Sequence, residues 1–200
     1  AIEEKKVTPE TVITVPYALK RSTKVFHDHE RHATQYLTTA GVLAVSSNTG
    51  SIQIGELLSH DTFYDYLTKF GVGSKTGSGL PGESRGILPK VADWSGTSAP
   101  TMAFGQGYSL TAMQATSIFA TIANDGVRVS PTVIAGTRDA SGNFTPAPGR
   151  TSQRVISSET AKAMRLMMES VVSGNGTAPS AAIPGYRVAG KTGTAQRIDD

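Results

Sequence analysis

Residues 185–192 read Gly185-Tyr186-Arg187-Val188-Ala189-Gly190-Lys191-Thr192: a glycine, four residues, then Gly-Lys-Thr. This is the pattern of a phosphate-binding loop, and whether it is one decides the fold. Such a loop works only where it leaves a buried strand and opens a helix, so that backbone N–H groups converge on phosphate. That context is missing. Tyr186 and the β-branched Val188 suit a strand better than a flexible loop. Pro184 stands directly before Gly185, where a buried strand would be needed, and no helical pattern follows Thr192. The stretch is therefore read as a strand, and Lys191 needs a different role.

Composition narrows the class. Two hundred residues suit one domain, or one domain with a sub-lobe, and let about 70% of the unfolded surface be buried. With 38% hydrophobic and 18% charged residues the chain is globular rather than disordered. A net charge of +3 is too small and too scattered to argue for nucleic acid as a partner. The absence of cysteine excludes disulfides, thiolate metal sites and a cysteine nucleophile together. No apolar run approaches the ~20 residues of a membrane span, and the opening AIEEKK is not a signal peptide.

Local patterns give the elements. AIEEKK carries helix formers and then two lysines, as the last turn of a helix does. Val7 to Val15 reads as a turn and a short extended piece closed by Pro16. His27, His29 and His32 raise a metal reading, but with no second ligand cluster the run is expected to be a polar hairpin or loop, and no metal or cofactor is expected. Thr38 or Thr39 caps a helix over Ala40 to Val45. A second helix is expected around Ile52 to Leu58, and a third after Asp61 as cap, ended by Gly71. The glycine-rich tract after it is loop. Thr111 and Gln114 form a capping box that opens a helix through Ala123, stopped at Asn124-Asp125-Gly126. VRV at 127–129 and TVI at 132–134 read as strands, with a turn or hairpin around Ser141-Gly142-Asn143. A last helix runs from Glu159 to about Val172, with Ala161, Met164, Met167 or Met168, and Val171 along one face. Helices first, then strands with one helix between them, give an α+β domain with a helical lobe.

Lys191-Thr192-Gly193-Thr194 is suited to holding a carboxylate: a cation, two hydroxyl donors, and a glycine that admits close backbone approach. Strand alternation would put Lys191 and Gly193 on one face and the two threonines on the other. Ser46-Ser47-Asn48 adds a second unit, in which a turn can aim Ser46 and Asn48 into one cleft.

Ser46-x-Asn48 followed by Lys191-Thr192-Gly193 resembles two of the three motifs of penicillin-binding proteins and serine β-lactamases. FYDYLTKFGVGSKTGSGLPGE and FGQGYSLTAMQATSIFATIANDGVRVSP resemble segments of class B penicillin-binding proteins, the monofunctional peptidoglycan transpeptidases. The likeness spans essentially the whole chain. It implies the transpeptidase-like fold, an antiparallel sheet with flanking helices and a helical lobe, divided at about 37–125 (helical lobe) and 126–200 (sheet side). Two departures stand out. No Ser-x-x-Lys, the family's nucleophile motif, occurs anywhere in these 200 residues, and Ala112 stands where relatives commonly carry proline. The expectation is of a domain incomplete at both ends, running from inside the nucleophile helix to just past the third motif.

The resemblance also implies a mechanism. A serine outside this chain attacks the D-Ala-D-Ala carbonyl of a stem peptide, and a second stem peptide's amine takes the acyl group. Ser46 relays a proton to the leaving group. Asn48 bonds the nucleophile's lysine and the substrate amide, Lys191 supplies positive potential, and Thr192 and Thr194 bind the terminal carboxylate, with Gly193 between them. The Thr194 N–H is one of two oxyanion donors. The implied partners are peptidoglycan stem peptides, β-lactam antibiotics and membrane proteins of cell division or elongation, at the outer face of a bacterial membrane. Two alternatives stay open: a non-catalytic scaffold or binding module of the same family, and a nucleotide-binding protein through GYRVAGKT.

Overall fold

The computed structural model describes residues 1–193. Its first half opens with two nested antiparallel ribbons. Strand β1 (Val12–Val15) pairs with β4 (Gln35–Thr38), and the β2 (Ala18–Arg21) and β3 (Lys24–His27) hairpin is inserted between them. The second half repeats the nesting: β5 (Val127–Val129) pairs with β8 (Ser152–Arg154) around the β6 (Gly136–Arg138) and β7 (Phe144–Pro146) hairpin. Every pair is antiparallel, as expected, but the described strands form four two-stranded ribbons rather than one continuous sheet.

Between the ribbons run α1 (Thr39–Ala44), α2 (Asn48–Gly55), α3 (His60–Lys69), α4 (Ser98–Ala103) and α5 (Ala112–Ala123); α6 (Ser158–Val172) follows β8. Local chemistry sets most of these boundaries. Thr111 and Gln114 close the expected capping box at the start of α5, each side chain satisfying the other's backbone N–H. The stripe on α6 is core: Ala161 and Val171 are fully buried, with Met167 and Met168 beside them, and the helix packs on α1 and α5. Residues 1–6 carry the hydrogen-bond pair that closes a helix, Lys6 N–H to the Ala1 carbonyl and Lys5 N–H to Ile2, with Lys5 left-handed at φ +53°.

Four expectations change. Helix α2 starts at Asn48 rather than near Ile52, because the Ser47 hydroxyl accepts the Gly50 N–H and caps it there. Ser59, not Asp61, caps α3 by accepting the Thr62 N–H, which leaves Asp61 in the first turn, where a negative charge suits the helix's positive end. The strand expected at 132–134 lies at 136–138, since the Thr132 side chain takes the Ile134 N–H and turns the backbone aside. Residues 185–193 form no ladder among the described residues, and Gly190 N–H donates instead to the Met168 carbonyl on α6.

Candidate active site

The junction of α1 and α2 is the centre of the site. Helix α1 ends in the same closing pair, Ser47 N–H to Val42 and Ser46 N–H to Leu43, which places Ser46 at the left-handed position with φ +58°. Glycine is the usual occupant there; a side chain costs on the order of 1 kcal/mol. Ser47, 2% exposed, then caps α2 at once. A Cβ at Gly50 would lie 2.8 Å from the Val42 methyls, so α1 and α2 meet at the closest approach that glycine permits. The serine is thus presented from a tight corner between two helices.

Lys191 meets it there. Its ammonium donates to the Ser46 hydroxyl at 2.6 Å and to the Thr192 carbonyl at 3.1 Å, with the Thr192 hydroxyl at 3.3 Å. Strand alternation would have parted Lys191 and Thr192. Without a ladder the two side chains converge instead. Burial pushes the Lys191 pKa below the ordinary lysine value. The Thr192 hydroxyl lies 2.8 Å from that of Thr177, whose backbone N–H donates to Ala44 at the end of α1. Gly193 is exposed at the end of the described stretch, and Thr194 lies outside the described residues.

Asn48, the first residue of α2, donates through its amide to the His27 carbonyl at 2.9 Å. The carboxylate of the next residue, Asp28, accepts the Ser47 hydroxyl at 2.7 Å and the Thr49 N–H at 2.8 Å. His32 is the third partner of Asp28, Nε2 to Oδ2 3.1 Å, while its Nδ1 lies 2.7 Å from the Ala33 carbonyl. The Ala33 carbonyl is the largest influence on the His32 pKa and raises it; desolvation opposes it, and Asp28 adds a further upward push. The histidine run is therefore a strand end and a polar loop, as expected. Asp28 and Thr177 were not singled out from the sequence; the acidic residue between His27 and His29 was the visible signal.

The GYRVAGKT lysine points at a serine hydroxyl, and no helix opens behind it among the described residues, so the phosphate-loop arrangement is not what this stretch forms. Residues 1–200 match the penicillin binding protein transpeptidase domain along their whole length. The chain belongs to that family. It is 41% identical to penicillin-binding protein PbpB of Mycobacterium tuberculosis over 204 residues, covering 99% of this chain and 30% of that protein. It is 33% identical to the peptidoglycan D,D-transpeptidase FtsI of Escherichia coli K12, covering 92% of this chain and 29% of that one. The fold agrees with the crystal structure of penicillin binding protein 3 from M. tuberculosis at a TM-score of 0.96, over 99% of this chain and 46% of that one. The same protein has been solved in complex with aztreonam and with ampicillin. The transpeptidase-domain family thus accounts for the α+β architecture, and the chain spans about a third of the length of its curated relatives.

Proposed function

We propose that this chain is part of a peptidoglycan D,D-transpeptidase that cross-links stem peptides through a serine acyl-enzyme and is acylated by β-lactams. The observation that carries the reading is the 2.6 Å contact between Lys191 and Ser46, two motif residues 145 positions apart, in a chain of this family. The nucleophilic serine belongs to a Ser-x-x-Lys motif that these 200 residues do not hold. Its Oγ bonds to the carbonyl carbon of the penultimate D-Ala, and the C–N bond breaks to release the terminal D-Ala. The amine of a second stem peptide then forms the new amide and frees the serine.

The residues of this chain serve those steps. Ser46 passes a proton to the departing nitrogen, and Lys191 holds the Ser46 oxygen and adds positive potential for the substrate's terminal carboxylate. Asn48 keeps one amide hydrogen beyond the bond to His27 for the substrate amide. Thr192 and Thr194 serve to bind the carboxylate, Gly193 lets the substrate backbone approach, and the Thr194 N–H serves as one of two donors to the developing oxyanion. The protein acts where its substrate lies, at the outer face of the cell membrane, with division or elongation proteins as partners; no described helix is long and apolar enough to cross a membrane. The lobes divide at about 37–125 and 126–200.

Intact-mass spectrometry with ampicillin tests the reading. The full-length protein should take up one equivalent on its Ser-x-x-Lys serine, and the isolated 200-residue chain none. An unreactive full-length protein overturns the proposal, and an adduct on the isolated chain overturns the assignment of the nucleophile.

A further inference from the structure

The Ser46-x-Asn48 corner is held from outside by two consecutive residues at the end of the β2–β3 hairpin. The His27 carbonyl accepts the Asn48 amide, and the Asp28 carboxylate accepts both the Ser47 hydroxyl and the Thr49 N–H. All three bonds span 19 to 21 positions of sequence. They bracket Ser46 on its C-terminal side. The Asp28 side chain is 9% exposed, and the side chain of its partner His32 is 16% exposed. Both ring nitrogens of His32 face acceptors, the Ala33 carbonyl and Asp28. A carboxylate and a carbonyl both accept, so a ring that donates from both nitrogens satisfies the two contacts together. The pair puts a fixed, charge-assisted acceptor against the first turn of α2, where the helix N-terminus favours it.

We infer that Asp28, anchored by His32, is a positioning residue for the transpeptidase site, fixing Ser46 and Asn48 by locking Ser47 and Thr49. The inference rests on the transpeptidase reading above. A left-handed serine persists only where its surroundings over-determine the backbone, and here the closing bonds of α1 act from one side and Asp28 from the other. One carboxylate makes both contacts to the start of α2: Asp28 Oδ2 accepts the Ser47 hydroxyl hydrogen, so that Ser47 Oγ is free to accept the Gly50 N–H and cap the helix. Among the described residues the hydrogen bonds of Asp28 go to Ser47, Thr49 and His32 rather than to Ser46 or Lys191, so its effect passes through the backbone. Asparagine at position 28 keeps one acceptor for the Thr49 N–H. It cannot also accept from Ser47 and His32, because its amide nitrogen only donates.

The test uses the full-length protein and a fluorescent penicillin, reading two quantities: the fraction of molecules acylated at completion and the rate constant of acylation. A merely structural residue lowers the fraction that is folded and competent. A positioning residue slows the step while every molecule still reacts. D28N should slow acylation about tenfold to a hundredfold, the scale of displacing a reacting group by up to 1 Å, with full final labelling. H32A, at a more exposed position, should slow it at least threefold, also at full labelling. A D28N rate within twofold of wild type overturns the inference. Should D28N fail to fold, H32A decides: full labelling at the wild-type rate overturns it. K191A separates the two ideas. If wild type reacts, K191A is slow and D28N is normal, only the positioning role falls. If wild type does not react, the transpeptidase reading falls and the inference with it.

Discussion

Lys191 Nζ stands 2.6 Å from Ser46 Oγ, joining the chain's third motif to its second across 145 residues. The hydroxyl sits on a left-handed corner and the ammonium is half-buried, so the pair combines a strained backbone with a desolvated charge. Each half of that relationship has a measurable consequence.

The charge sets a pH limit. Burial lowers the Lys191 pKa from its ordinary 10.5, so the folded protein releases this proton at a lower pH than the unfolded chain does. In that window the unfolded state binds more protons, and the contribution of Lys191 to stability rises with pH. Activity runs the other way, because the proposed roles need the ammonium. Acylation by a fluorescent penicillin should therefore fall on an alkaline limb centred below 10.5. K191R, which stays charged, should remove that limb even if its plateau is lower. A limb unchanged in K191R would assign it to another group.

The strain is tested by two substitutions at one position. Ser46→Gly and Ser46→Ala both remove the hydroxyl, and both should slow acylation about a hundredfold, the lower end of general acid–base contributions. They differ in backbone cost. Glycine accepts φ +58° freely and alanine does not, so Ser46→Gly should be the more stable of the two by about 1 kcal/mol. Equal stabilities in denaturant would show that the corner is not strained.

Much of this architecture is legible locally. The capping box at Thr111 and Gln114, the apolar face of α6 and the turn around Gly142 each follow from residues within one or two turns of chain. Where local reading failed, a side chain took a backbone N–H that the pattern had assigned elsewhere: Ser59 rather than Asp61 caps α3, and Thr132 diverts a β-branched run that has good strand propensity. The candidate site was legible as motifs but not as geometry. Nothing in the spacing of Ser46 and Lys191 says that they touch. Asp28 was hidden for a similar reason, since its partners on α2 lie 19 and 21 residues away, and a carboxylate between histidines draws attention to metals before caps.

The glycine-rich loop carries its own acid sensitivity. Glu83 accepts from the Thr76 and Ser78 hydroxyls and from the Gly77 and Ser78 N–H groups, which together lower its pKa from 4.5 to about 2. A depressed carboxylate contributes stability that is present above 4.5 and is lost as pH falls toward about 2. Amide exchange at Gly77 and Ser78, corrected for intrinsic rates, should lose protection across that interval. In E83Q the protection should be low at every pH. Protection in wild type that persists below about 2 would mean the carboxylate does not organise the loop.

The chain contains Lys-Thr-Gly twice, at 75–77 and at 191–193, and the two differ in what surrounds them. Thr76 is buried and committed to Glu83, while Lys75 is exposed in the loop. Thr192 is half-buried beside Thr177, and Lys191 is bonded to Ser46. In the full-length protein Lys75→Ala should leave β-lactam acylation within about threefold of wild type, because exposed substitutions without such contacts change little. Lys191→Ala should slow it about a hundredfold or more, the scale of losing a positioned electrostatic group. Circular dichroism before the assay separates misfolding from lost chemistry. A damaging Lys75→Ala beside a mild Lys191→Ala would move the active segment to the glycine-rich loop. The roles proposed for Ser46, Thr192 and Thr194 would then lose the lysine that ties them together.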